Sequence, residues 1–266
     1  MKKLIQFIIF LCFVKGLLAD GYTVKYKNIS DNFFLKPNPE EKIWDNINEF
    51  VVELMPQNIT TPSLQKRTVP FVKVKAIHNK KYIAILLEWL DPTKNDITDV
   101  DKASDACAIQ FPRKDFNSTS PFMGHEGAPV VIFHWKAIWN RDIEKGYVKL
   151  EDIHPNAFTE TYMFGKEIAR EANNPISKEN RISPVEELHA EGFGTSTHAE
   201  EADIRAWGIK TLNGWKVMFT YKFDSELIPT LKPGSNTGIA FAIWGGNNKD
   251  IGARKNYAPW QPIYIE

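Results

Sequence analysis

Between Phe71 and Leu90 the chain carries two strand signatures of different kinds. In Phe71-Val72-Lys73-Val74-Lys75-Ala76 apolar and basic residues alternate. An extended strand with that alternation puts the valines and Ala76 on one face and the lysines on the other. His78-Asn79-Lys80-Lys81 is a polar turn, and Tyr82 to Leu90 is then almost wholly apolar. That second pattern belongs to a strand covered on both faces. A two-stranded hairpin closed at Asp91-Pro92 has nothing to cover its second face. The chain must therefore supply further layers.

Other segments repeat the period of two. Strands are expected at Glu49–Met55, Asp105–Phe111, Pro129–Trp135, Ala202–Ile209, Gly214–Lys222, Thr237–Trp244 and Gln261–Ile265. Asn213-Gly214 is the pair that tight hairpin turns favour. About nine strands with short polar turns predict an all-β fold, an antiparallel β-sandwich. The stretch from Ile143 to Pro184 is polar and breaks the pattern, with one helical candidate at Gly165–Ala172. It reads as a loop-and-short-helix insertion, functional or solvated.

Composition narrows the function. Lys+Arg and Asp+Glu both number 33, which removes the electrostatic case for a nucleic-acid partner. Hydrophobic residues make up 43% and charged residues 25%, a globular profile rather than a disordered one. Aromatics reach 12%, with eight tryptophans, which suits strands or a ring-lined pocket.

Residues 1–19 read as a secretory signal peptide. Met1-Lys2-Lys3 is a basic start, Leu4 to Val14 an apolar run too short to span a bilayer, and cleavage is expected near Ala19-Asp20. The mature domain is then 20–266, exported to a periplasmic or equivalent extracytoplasmic compartment, with no membrane span after cleavage. Cleavage removes Cys12 and leaves Cys107 alone, so no intrachain disulfide, Cys-based zinc site or iron–sulfur cluster can form.

No HExxH, Walker loop, GxSxG or CxxCH occurs. Gly192-Phe193-Gly194-Thr195 resembles a piece of a dinucleotide fingerprint, but lies among strands and reads as a close backbone approach. The six histidines include no pair three or four apart, leaving zinc only to long-range convergence. Glu160, Glu167, Glu171 and Glu187 look solvated, and nothing singles out a glycosidase-type carboxylate pair. Met123 is unusual, because Pro121-Phe122-Met123-Gly124 is a loop with no obvious core for a thioether to fill. A thioether is also a soft axial ligand for haem iron, although on residue chemistry alone Met123 reads as cover for the sandwich edge. Lys255 reads likewise as a surface lysine, able to ligate a metal only if burial or the metal removes its proton.

Ordered pieces along the chain carry a family resemblance. They are Leu87-Glu88-Trp89-Leu90-Asp91, Asp105-Ala106-Cys107-Ala108-Ile109-Gln110-Phe111-Pro112, Pro121-Phe122-Met123-Gly124 and His134-Trp135-Lys136-Ala137. Asn173-Asn174-Pro175, Ser183-Pro184-Val185-Glu186-Glu187-Leu188 and Ala190-Glu191-Gly192-Phe193-Gly194-Thr195 follow. Phe241-Ala242-Ile243-Trp244 and Lys255 before Trp260 complete the set. From about Trp44 to Trp260 the chain resembles the haem b-binding gamma subunit of exported molybdenum enzymes related to dimethyl sulfoxide reductase. Ethylbenzene dehydrogenase, dimethyl sulfide dehydrogenase, selenate and chlorate reductases and nitrite oxidoreductase belong to that group.

The resemblance implies a β-sandwich holding one non-covalent haem b, with Met123 and Lys255 as the axial ligands of the iron. His134 and His125 stand as competing nitrogen donors. It also implies an electron-transfer subunit without molybdenum or iron–sulfur clusters of its own. Its partners would be an iron–sulfur (beta) subunit, a molybdenum catalytic (alpha) subunit, and a soluble cytochrome c or similar carrier. Two other readings fit the sandwich: a secreted carbohydrate-binding module using exposed tryptophans as sugar platforms, and an exported hydrolase.

Overall fold

The computed structural model describes residues 21–97, 99–156, 165–172, 174–175, 178, 180–199, 203–224 and 226–266. The signal peptide read at residues 1–19, and Glu160 and Met163 in the insertion, lie outside the described residues.

The strands are β1 (Tyr22–Tyr26), β2 (Phe50–Glu53), β3 (Met55–Pro56), β4 (Phe71–His78), β5 (Tyr82–Leu90), β6 (Ala106–Pro112) and β7 (Val130–Lys136). They continue as β8 (Val185–Ala190), β9 (Thr197–His198), β10 (Arg205–Lys210), β11 (Gly214–Lys222), β12 (Asn236–Trp244) and β13 (Asn256–Ile265). The hydrogen-bonded order is β10-β11-β5-β4-β1-β13-β12-β6-β7-β8-β9, with β2 on β4 and β3 on β13. This single path folds into two facing layers, and β1 is the hand-over between them. Tyr22–Val24 pair in parallel with Ile263–Ile265 of β13, and Lys25 and Tyr26 pair in parallel with Ile77 and His78 of β4. The predicted all-β sandwich is therefore observed, and the pairs made by β1 are the exceptions to its antiparallel pairing.

Between the layers lies the main core. Ile83, Ile85, Leu87 and Trp89 of β5 and Val217 and Phe219 of β11 meet Ile109 and Phe111 of β6 and Phe133 and Trp135 of β7. Aromatic rings cross the gap: Trp135 lies 5.1 Å from Trp215 and Phe133 lies 4.9 Å from Tyr221, centroid to centroid. Buried rings such as these each remove a large apolar area from water.

The alternate residues of β5 explain its continuous apolar run. Ala84 and Leu86 point to the outside of their layer, where Phe34, Trp44 and Ile47 of the N-terminal segment cover them. Phe34 comes from α1 (Asp31–Leu35), and Trp44 from a 3-10 turn over Lys42–Asn46. One outer face of the sandwich is thus sealed by chain.

The insertion and its flanks carry more helix than the single candidate expected. α2 (Ala137–Lys145) begins directly at the end of β7, and α3 (Leu150–Ile153) and α4 (Gly165–Glu171) follow. β8 starts immediately after Pro184. Its Glu186 and Glu187, the second read as solvated, are both buried, because Lys136 forms an ion pair with Glu186 and ring nitrogens of three histidines lie within 3.3 Å of the two carboxylates.

Candidate functional site

The other outer face is built differently. Cys107, Ile109 and Phe111 of β6 point into the core, so Ala106, Ala108 and Gln110 point out. On the neighbouring strand β12, Ile239, Phe241 and Ile243 point in, and Ala240, Ala242 and Trp244 point out. Adjacent strands thus set alanines side by side, and Ile132, His134 and Leu188 continue the face. A cavity of about 430 Å³ lies over this floor, walled by the loops around 57–61, 121–124, 193–196 and 252–255. Its size is that of a small-molecule or cofactor site.

Register gives the cavity a direction. Ala240 pairs with Gln110 and Trp244 with Ala106, so the floor runs along the strands for four residues, about 13 Å. Met123 is fixed from the Gln110 end. Gln110 Nε2 donates to the Pro121 carbonyl (3.0 Å), and the Gly192 N–H donates to the Met123 carbonyl (2.7 Å). Trp260 Nε1 donates to the Thr119 carbonyl (2.7 Å). Met123 has φ 64° and Gly124 has φ 74°. A left-handed methionine costs about 1 to 2 kcal/mol, and such strain persists where surrounding structure holds it. Gly124 is obligatory in this turn, since a Cβ there would stand 2.6 Å from the Ala128 carbonyl oxygen.

Lys255 approaches the Trp244 end, its Nζ 5.1 Å from the Trp244 ring centroid. Its backbone is clamped by buried Gln57. The Gln57 N–H donates to the Lys255 carbonyl (2.9 Å), and Gln57 Nε2 donates to the Ala253 carbonyl (2.8 Å). Gln57 Oε1 accepts from the N–H groups of Ile59 (2.6 Å) and Thr60 (2.8 Å). Among the described residues the amine has no hydrogen-bond or ion-pair partner. Burial lowers its pKa from 10.5 to about 8, because desolvation penalises the ammonium form.

The structure therefore brings Met123 and Lys255, far apart in sequence, to one cavity. That cavity lies on the outer face of a layer, not at an end of the sandwich where antiparallel loops gather, because the small outward side chains of β6 and β12 make room there. The two competing histidines separate. His125 is exposed, its Nδ1 accepting from the Ser120 N–H at 3.4 Å, and it is not part of the cavity wall. His134 is in the wall. Its Nδ1 lies 3.2 Å from Glu186 Oε1, and its buried Nε2 has no partner.

Gln57, Gln110 and the alanine floor were missed by sequence reasoning. The floor did have a signal: Ala106-x-Ala108 and Ala240-x-Ala242 each place small residues at period two on a strand whose alternate positions are large. The glycines of Gly192-Phe193-Gly194 serve positive φ values of 121° and 80° in an open turn. No atom lies within 4 Å of a Cβ built at either position, so positive φ, and not lack of room for a side chain, accounts for these glycines. The sugar-platform reading loses its platforms: six tryptophans are buried, and Trp207 and Trp260 are half-buried.

A family described as ethylbenzene dehydrogenase matches residues 41–256, and the chain belongs to that family. It is 24% identical over 222 residues to the chlorate reductase subunit gamma of Ideonella dechloratans, covering 80% of this chain and 72% of that one. A protein named as a respiratory nitrate reductase heme subunit in Haloferax mediterranei is 19% identical over 225 residues (84% and 66%). The dimethylsulfide dehydrogenase subunit gamma of Rhodovulum sulfidophilum is 31% identical over 121 residues (42% and 45%). Among solved structures, a family 9 carbohydrate-binding module of Caldicellulosiruptor kristjanssonii aligns with 92% of this chain and 93% of its own, at 12% identity and a TM-score of 0.41.

Proposed function

We propose that this chain is the electron-transfer subunit of an exported oxidoreductase complex and carries one non-covalent haem b between Met123 and Lys255. The observation that carries the reading is the pairing of donors in one cavity. A thioether at one end and an unpartnered amine at the other face a single apolar space. Family membership and the names of the relatives, two gamma subunits and one heme subunit, support the same reading. The lack of any CxxCH in the sequence fits attachment without a covalent bond.

The residues present suit such a group. The alanine floor is flat and apolar, and Phe122, Trp244 and Tyr257 line the cavity beside it. Met123 offers a donor that does not titrate, and Lys255 an amine whose proton burial has already weakened. Gln57 and Gln110 hold the two donor loops at their ends of the floor, and the floor and walls limit water around the donors. When bound, the haem would supply a one-electron couple, and Met123 and Lys255 as its two protein donors would leave it suited to electron transfer rather than substrate binding.

The partners that fit are an iron–sulfur subunit, a molybdenum catalytic subunit and a soluble cytochrome c or similar carrier, in ethylbenzene dehydrogenase-like or nitrite oxidoreductase-like company. The basic start and apolar run of residues 1–19 fit delivery to the periplasm or an equivalent compartment. The test is the visible spectrum of the purified chain with a pyridine haemochrome assay. One extractable haem b per chain is expected, with its low-spin spectrum lost in Met123→Ala. A chain that takes up no haem, or an unchanged spectrum in that variant, overturns the reading.

A further inference from the structure

The cavity holds a third donor that the Met–Lys pair does not use. His134 sits on β7 opposite Ala108, the middle of the floor, with Glu186 of β8 on its other side. Its ring packs on Trp244 at 4.8 Å, the same indole over which the Lys255 amine stands at 5.1 Å. Two nitrogen donors therefore share one corner of the slot.

The surroundings of His134 prepare it as a ligand. Glu186 is buried and takes a 2.6 Å hydrogen bond from Lys136 Nζ. Despite its burial, the neighbouring His134 and Lys136 hold its carboxyl at about 2, so it is ionised. A carboxylate beside Nδ1 accepts a hydrogen bond from the Nδ1–H, which leaves the lone pair on Nε2. That nitrogen is buried and has no partner, and its ring forms part of the cavity wall. An imidazole oriented through Nδ1 by a carboxylate, with Nε2 bare, is the arrangement found where histidine binds metal. Burial also keeps this imidazole neutral, lowering its pKa to about 4.

We propose that His134 Nε2 is a second nitrogen ligand built into the slot, which takes the iron position opposite Met123 when the Lys255 amine is withdrawn. The inference rests on the haem reading above and extends it from a fixed ligand pair to an exchangeable one. No other chain and no covalent change is needed. His134 would replace Lys255 as the nitrogen donor, and the Met123 thioether would keep its place.

The test uses the full chain loaded with haem b, read by absorption and electron paramagnetic resonance spectra of the ferric form. His134→Leu alone should remain low-spin, with Lys255 still present as the nitrogen donor. Lys255→Leu should remain low-spin with shifted g-values. Lys255→Leu/His134→Leu should become high-spin, and added imidazole should return that double variant to low-spin, which shows that its slot persists. A high-spin or haem-free Lys255→Leu with His134 intact overturns the proposal, as does a low-spin double variant without added imidazole. A high-spin His134→Leu with Lys255 intact also overturns it, because His134 would then be the resident ligand. Failure of the underlying reading looks different: wild-type chain that takes up no haem.

Discussion

Replacing Lys255 by leucine should alter how stability depends on pH in the haem-free chain, with a predictable sign. Burial moves the amine from 10.5 to about 8. A tenfold change in proton affinity is worth about 1.4 kcal/mol, so the buried ammonium destabilises the fold by about 3 kcal/mol at neutral pH. The folded state holds this proton less tightly than the unfolded state. The penalty is therefore complete below about pH 8, shrinks as pH rises and is gone above 10.5. Between pH 7.5 and 10 wild type should gain about 2 kcal/mol that Lys255→Leu does not. Lys136, also lowered by burial, and Tyr22, Tyr221 and Tyr257, all raised by it, are present in both proteins and cancel in the difference. Urea midpoints measured across this range give the two curves. Parallel curves would show that the amine is solvated and would remove the electrostatic preparation of the site. The functional consequence follows from the same figure. At pH 7 about one amine in ten is already neutral, so displacing the proton costs iron about 1.4 kcal/mol instead of about 5.

Three further outcomes test the architecture around the donors. Gly124→Ala forces a Cβ against the Ala128 carbonyl at positive φ; it should cost about 2 kcal/mol in urea unfolding and weaken Met123 ligation, and an unchanged midpoint would contradict the turn geometry. Gln57→Ala unpairs the Ala253 carbonyl and the Ile59 and Thr60 amides. It should cost about 2 to 4 kcal/mol and raise the haem dissociation rate, whereas wild-type haem retention would show that the clamp is irrelevant to the site. Ala242→Phe fills the floor from a partly exposed strand position; circular dichroism should stay native while haem loading falls at least tenfold, and full loading would mean that the slot lies elsewhere.

How far the sequence disclosed the fold depended on whether burial followed polarity. The bounds of β5 and β11 were legible because β5 is almost wholly apolar and large apolar residues alternate along β11. β8 was not, since its centre is Glu186-Glu187. Two adjacent carboxylates look like a solvated loop until their partners are known: Lys136 and His134 of β7 and His198 of β9 face Glu186, and His189 of β8 itself faces Glu187. β1 was hidden by its length and by its parallel pairing, which no local pattern signals. The donor loop at Met123 was legible through its odd chemistry and its motif. Lys255 stood out only through the motif, since its burial depends on Trp244 and the Gln57 clamp. Gln57 itself carries no sequence signal.

The placement of the slot also separates cofactor binding from folding. The main core lies between the layers, whereas the floor belongs to a small separate cluster of Ala106, Ala108, Trp244, Ile132 and Ala242 on the outside of one of them. A guest inserted into a core is part of what holds the layers together, so its loss leaves a void that costs stability. Here the guest would cover a face that is already backed by a complete core. The haem-free chain should therefore stay folded with its donor loops clamped by Gln57 and Gln110, and the entropy of ordering those loops is met in folding rather than at binding. That is the condition under which changes in the floor or in the donors report on the site itself. It also accounts for the strain at Met123, which a clamped loop on a complete sandwich can hold without the ligand bond to stabilise it.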